Sequence, residues 1–279
     1  MTYYQIAAYP FYLDLPAVAI SFQHTLACVL DTFHLPQAPH TPITPHAPFE
    51  HVTPHGTMRC VAEDGLYRVE IRLDEASTNI DPVRLVDAFE PELVNQAVRE
   101  SPLYLWIHGA CLVREDELIL LVAQTGTGKT TLSLGLLAHG YRLLTDDIIL
   151  MDMETGAFLP LPRCPKYREP APTFLAAAGF DLQRDARTMG HYVLLPPHRL
   201  QSQPVSGPPS RIYCLQRTAD AAPGAQKLSL TDGLLALLPQ SNLLALDPNF
   251  EQSAKWFAQT QFIGMNLHHY PDDLAYIAQ

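Results

Sequence analysis

Lysine is scarce in this chain of 279 residues: there are four, at positions 129, 166, 227 and 255. No Lys or Arg precedes Arg59. The apolar opening MTYYQIAAYPFYLDLPAVAI therefore lacks the charged leader of a secretory signal and reads as early strands. Pro10, Asp14 and Pro16 break it below the length that spans a bilayer. Cysteine is also sparse. The five residues Cys28, Cys60, Cys111, Cys164 and Cys214 are odd in number, widely spread and free of any CxxC pair. That usage is expected of reduced thiols in a cytoplasmic protein. Cationic charge falls far short of anionic charge: the formal net charge is −11. Such a balance excludes nucleic acid or a membrane as a partner held by bulk electrostatics, while leaving room for a local basic site. Internal repeats and coiled-coil heptads are absent. So are the NKxD of Ras-like GTPases, an LSGGQ-like element, and the HRD and DFG of eukaryotic-type protein kinases; HRL at 198–200 is no substitute for HRD.

Apolar residues make up 47% of the chain, enough at this length for one large domain or two smaller ones. The expected layout is a small α+β domain over 1–100 and a larger domain over 101–279. Within the first, a proline- and histidine-rich segment over 35–56 carries or adjoins His34, His40, His46, His51 and His55. Proline at that density excludes helix and central strand, so an extended loop or hairpin edge is expected. The histidine spacings match no compact metal-ligand pattern, and a solvated loop is the simpler reading. Two strands follow over Thr57–Leu73, then a helix starting after Asp81 and Pro82. YLWIHGACLV and ELILLVA read as strands joined by a polar turn. GKTTLSLGLLAHG reads as a helix with leucines at 132, 134, 136 and 137 and Gly140 as its C-cap. YRLLTDD, IILMDM and RIYCLQR read as strands, while LTDGLLALLP and NFEQSAKWFAQTQF read as helices. Strand, loop, helix, strand in the middle of the chain makes an α/β phosphate-binding core.

The decisive stretch is AQTGTGKTTL, Ala123–Leu132, between an apolar strand and a leucine-striped helix. It fits the phosphate-loop pattern with alanine in place of the first glycine. Gly126 and Gly128 allow the turn that points successive N–H groups of Thr125, Thr127 and their neighbours at phosphate oxygens. The helix start at Lys129-Thr130-Thr131 adds its positive end. Lys129 is the expected phosphate clamp and Thr130 an expected Mg²⁺ ligand. Asp146 and Asp147 follow the helix at the end of the next strand. Parallel strands flanking such a loop end at one edge, which would bring both carboxylates to the γ-phosphate, one for Mg²⁺ and one for a hydroxyl proton. A turn-capping acidic pair is the alternative.

Together, IHGACLV, AQTGTGKTTLSLGLLAHGYRLLTDD and the strand after them resemble the catalytic domain of the HPr kinase/phosphorylase family. The matching elements are His108-Gly109, the loop ending Gly128-Lys129-Thr130, Gly140-Tyr141-Arg142 and Asp146-Asp147. The resemblance implies a phosphate-loop core of that family's C-terminal type and transfer of the γ-phosphate of ATP, with Mg²⁺, to a serine of a peptide or small protein. By position it implies Asp146 as the base, His108 as its support or that of the phosphates, Lys129 as clamp, and Thr130 with Asp147 as metal partners. It leaves a homo-oligomer open, since members of the family are hexamers. The chain departs from the family in having Thr130 and Thr131 where Ser and Glu are usual, and Glu169 is only a weak stand-in for a downstream metal-binding glutamate. Arg163, Lys166 and Arg168 cluster in PLPRCPKYREPAP and suit either transition-state neutralisation or a solvated turn. Two other functions remain: a small-molecule phosphotransferase resembling the phosphoenolpyruvate carboxykinases, and an ATP-binding scaffold without turnover.

Overall fold

The computed structural model describes residues 3–6, 9–15, 20–31, 34–35, 48–63, 66–77, 79–99, 104–161, 163–218, 224–268 and 270–278. The chain divides into two units, Met1–Ser101 and Pro102–Gln279. The first is α+β. Strands β1 (Tyr3–Ile6), β2 (Tyr9–Asp14), β3 (His34–Leu35), β4 (Phe49–Thr53), β5 (Gly56–Glu63) and β6 (Leu66–Leu73) form one sheet in the order β3-β1-β2-β6-β5-β4. Helices α1 (Ile20–Leu30) and α2 (Pro82–Arg99) pack on each other through an edge-to-face contact of Phe22 with Phe89. Helix α2 starts as its sequence dictates, with the Val83 N–H donating to Asp81 Oδ1 at 2.9 Å. The histidine-rich segment is a hairpin arm where it is described. His51 lies on β4 and His55 in the turn to β5, while His40 and His46 fall outside the described residues.

The second unit is a mixed α/β structure around an eight-stranded sheet. Its strands are β7 (Tyr104–Arg114), β8 (Glu117–Val122), β9 (Arg142–Thr145), β10 (Ile148–Asp152), β11 (Phe158–Leu159), β14 (Arg211–Gln216), β15 (Gly224–Lys227) and β16 (Gln261–Asn266). The order is β11-β10-β7-β8-β14-β16-β15, with β9 also on β7. Strands β12 (Arg187–Met189) and β13 (Tyr192–Leu194) make a separate hairpin. Continuous apolar runs such as ELILLV are those of strands buried on both faces, and ELILLV is buried from its second residue onward. On one face lie α3 (Lys129–Leu137), α4 (Ala171–Ala177) and α5 (Leu182–Asp185); Leu132, Leu134, Leu136 and Leu137 of α3 pack with Leu175 of α4 and with Leu112, Ile119 and Tyr213 of the sheet. On the other, α6 (Leu230–Leu237), α7 (Leu243–Leu246) and α8 (Glu251–Trp256) enclose a second core containing Leu120, Ile149, Ile212, Leu234 and Phe262.

The opening holds strands β1 and β2 as expected, and α1 follows them over residues that carried no assignment from the sequence. One sequence expectation fails here. The helix expected over NFEQSAKWFAQTQF stops at Trp256, and Gln261 begins β16, which pairs in parallel with β14 inside the sheet. A further feature closes the unit. The chain after β16 returns to α3: the Tyr270 hydroxyl donates to the Thr131 carbonyl at 2.9 Å, and Leu274 and Ile277 join the α3 core. Gly135 is the position on α3 where this segment lies, and a Cβ there would collide with Tyr270 and Leu274. Among the described residues no helix is long and apolar enough to cross a membrane.

Candidate active site

The site is organised around β7. Strand β8 pairs with one of its sides, ending with Val122 opposite Gly109. On the other side β9 and β10 both run antiparallel to β7, with Thr145 facing Cys111 and Ile148 facing His108. The register is therefore continuous across the acidic pair, and Asp146-Asp147 interrupts one long strand beside Ala110 and Gly109. The strand bearing the carboxylates and β8 end at one level, as parallel strands flanking the loop were expected to. The strand bearing the carboxylates runs in the same direction as β8 but is not its neighbour, because β7 lies between them. Gly109 is required where the three strands converge: a Cβ there would stand 2.6 Å from the Leu121 carbonyl oxygen and 2.8 Å from Ile149 Cδ1. The Gly109 N–H donates to the Asp147 carbonyl at 3.1 Å.

Beyond Val122 the chain turns through Ala123–Gly128 into α3. Gly126 (φ 84°) and Gly128 (φ 117°) take left-handed backbone that side-chain-bearing residues avoid, and the second forms the N-cap of the helix. Thr125 and Gly126 are exposed, and Thr127 closes the turn by donating from Oγ1 to the Gln124 carbonyl at 2.9 Å. Lys129 does not extend from the loop. It is 7% exposed, and its Nζ donates to the carbonyls of Ala123 at 2.6 Å and Gln124 at 3.1 Å. Burial lowers its pKa, opposed by the charges of Asp146 and Asp147. Thr131 serves α3 through its carbonyl, which accepts from Tyr270.

Asp146 and Asp147 occupy opposite environments. Asp146 is 4% exposed; its Oδ2 accepts from the Thr130 hydroxyl at 3.0 Å and its Oδ1 is buried with no partner. Burial, reinforced by the Asp147 charge, pushes its pKa up to about 6. Asp147, with positive φ (79°) and a half-exposed side chain, accepts from His108 Nε2 at 3.2 Å and from Arg163 Nη1. Burial acts to raise its pKa but is outweighed by the His108 hydrogen bond and the Arg163 charge, so the carboxylate is held ionised well below its usual range. His108 is fixed from behind by Gln240, whose Oε1 lies 3.2 Å from Nδ1.

The basic cluster of PLPRCPKYREPAP separates in space. Arg163, 5% exposed, enters the site because Leu161 runs beside β9, bridging to Thr145 and donating its N–H to the Leu144 carbonyl. Lys166 lies over the Tyr192 ring at 4.7 Å, and Arg168 and Glu169 are exposed. A residue the sequence reading passed over is Arg217, whose guanidinium stands against Gly128. Only the parallel pairing of β14 with β8 puts it there, so nothing in its local sequence marks it.

Among the described residues no three His, Cys, Asp or Glu side chains are grouped to hold a metal ion. The chemistry of Thr130 Oγ1, a hard oxygen, fits Mg²⁺, which takes few protein ligands and completes its shell with water and phosphate oxygens. Asp147 fits less well, since one of its oxygens already faces His108 and the other Arg163.

No protein-family model matches the chain, and no curated protein sequence matches it. Among solved structures it is similar to the Hpr(Ser) kinase/phosphatase from Coxiella burnetii, at 14% identity and a TM-score of 0.34, over 62% of this chain and 86% of that one. At that identity and superposition no residue role follows from the likeness. What the site can do rests on its own groups: the N–H groups of a helix's first turn, a buried lysine, a carboxyl with one unpartnered oxygen, and a second carboxylate locked between a histidine and an arginine.

Proposed function

We propose that this protein is an ATP- and Mg²⁺-dependent kinase that transfers the γ-phosphate to a serine hydroxyl of a peptide or small protein. The observation that carries the reading is Asp146. A buried carboxyl raised to about 6, with one oxygen free and the other on the Thr130 hydroxyl, is a proton acceptor poised near neutrality beside a phosphate-loop turn. In this reading the triphosphate lies over the N–H groups of 125–131, and Lys129 exchanges its loop carbonyls for phosphate oxygens. Thr130 would hold the Mg²⁺, which would supply neutralisation of the charge that builds on the phosphate oxygens, while Asp146 Oδ1 stays open to the hydroxyl proton. The serine oxygen attacks the γ-phosphorus as the bond to the ADP oxygen breaks, and the hydroxyl proton passes to Asp146. Asp147 holds Arg163 and His108 beside the transferred group, where a fixed cation stabilises developing charge without reorganising. The test is incubation of the purified protein with γ-labelled ATP, Mg²⁺ and the peptides or small proteins encoded beside its gene. Label on a serine, lost in Lys129→Ala, supports the reading. Tight ATP binding with no label on any acceptor would replace it with the scaffold.

A further inference from the structure

Strand β14 carries an arginine at its start and another just past its end, and the two have opposite surroundings. Arg211 is tied to Glu117 through Nη2 and to the Tyr213 hydroxyl at 2.9 Å. Arg217 is exposed and has no hydrogen bond or ion pair among the described residues. Its location is nevertheless fixed. Cys214 pairs with Val122, so Arg217 lies three residues beyond the level at which β8 ends, directly over the turn that follows. The backbone is clamped on both sides: the Leu267 N–H donates to the Gln216 carbonyl at 2.8 Å and the Thr218 N–H to Asn266 Oδ1 at 3.0 Å. A Cβ built on Gly128 would stand 3.7 Å from Arg217 Nη2. The fixed backbone thus brings the guanidinium beside the N-cap of α3, where the orphan N–H groups of the first helical turn already favour an anion.

An unpaired guanidinium beside helix-terminal N–H donors repels nothing but a cation, and its own donors stay unfilled by protein. We infer that Arg217 is a phosphate-binding residue of the nucleotide site, gripping the phosphate chain from the β14 side while Lys129 grips it from the loop. This inference rests on the nucleotide reading above and adds a residue to it. Arginine suits the position because its planar fork engages two phosphate oxygens at once, which an ammonium does not. The residue is exposed, so removing its side chain leaves the core intact.

The test is ATP binding by titration calorimetry in Mg²⁺ buffer, with wild type, Arg217→Ala, Arg217→Lys and Arg142→Ala. The last removes the same charge from the exposed start of β9, at the far end of the strand that leads to Asp146. Arg217→Ala is expected to weaken ATP about tenfold, the size of a lost charge-assisted contact. Arg217→Lys should recover part of that loss, Arg142→Ala should match wild type, and all four should melt at the same temperature. Wild-type affinity in Arg217→Ala would overturn the inference and leave the nucleotide reading standing. An equal loss in Arg142→Ala would overturn it too, reducing the effect to net charge. Wild type that binds no ATP at all would overturn the nucleotide reading and Arg217 with it.

Discussion

Asp146 carries a measurable cost for the chemistry assigned to it. Its folded pKa of about 6 stands above an ordinary 3.8, because burial and the neighbouring Asp147 both oppose ionisation. Between these values the folded chain binds more protons than the unfolded one, so folding stability falls as pH rises through the window and is lowest above it. Asp146→Asn removes that penalty while keeping an oxygen for Thr130. The variant should match wild type at pH 4 and gain about 1–2 kcal/mol at pH 8, or roughly 2–6 °C in melting temperature. It should also lose phosphotransfer and keep ATP binding nearly intact. Thermal melts across pH together with the label-transfer assay check both halves, and a variant that loses ATP binding would remove Asp146 from the role of base. In wild type the transfer rate should rise with pH through about 6, as the carboxyl gives up its proton.

At the scale of elements, β7 and the starts of β8 and β14 lead to two further expectations. Gly109→Ala forces a methyl into the Leu121 carbonyl and Ile149, prying apart the strands that bring the loop and the acidic pair to one level. A loss of about 2 kcal/mol or more is expected, with transfer reduced further than stability alone explains, because His108 and Asp147 flank the disturbed position. Denaturant unfolding and the label assay read the two effects separately. At the opposite end of β8, Glu117 accepts from Arg211, from Arg114 at 3.1 Å and from the Tyr141 hydroxyl at 2.7 Å. Glu117→Ala strands those donors and should cost about 3 kcal/mol while leaving ATP affinity unchanged. The same elements show what a sequence discloses. The loop, α3 and the strands around them were legible because apolar runs, glycines and a leucine stripe encode local geometry. Helix α1 was missed although Phe22, Leu26, Val29 and Leu30 are buried at helical spacing. Strand β16 was missed because the helical pattern before it continues in the letters past Trp256, and a six-residue strand containing glycine is defined by its neighbour β14 rather than by its own period. The separation of Arg163 from Lys166 and Arg168 likewise depends on Leu161 running beside β9, a pairing between segments remote from any motif.

For the molecule as a whole, both apolar cores of the second unit draw only on residues 105–278. A fragment spanning 102–279 should therefore unfold in a single cooperative transition and bind ATP as the full chain does; a broad, non-cooperative melt would show that it needs residues 1–101. Which chain segments meet was beyond the sequence, since Arg217 reaches Gly128 and Tyr270 reaches Thr131 only through the sheet order. The last of these contacts governs how the protein can be handled. The segment 270–278 is a wedge under α3, with Leu274 and Ile277 seated in its core and the Tyr270 hydroxyl on its first turn. A cut or an insertion within 270–278 therefore pulls on the same helix whose first residue is Lys129.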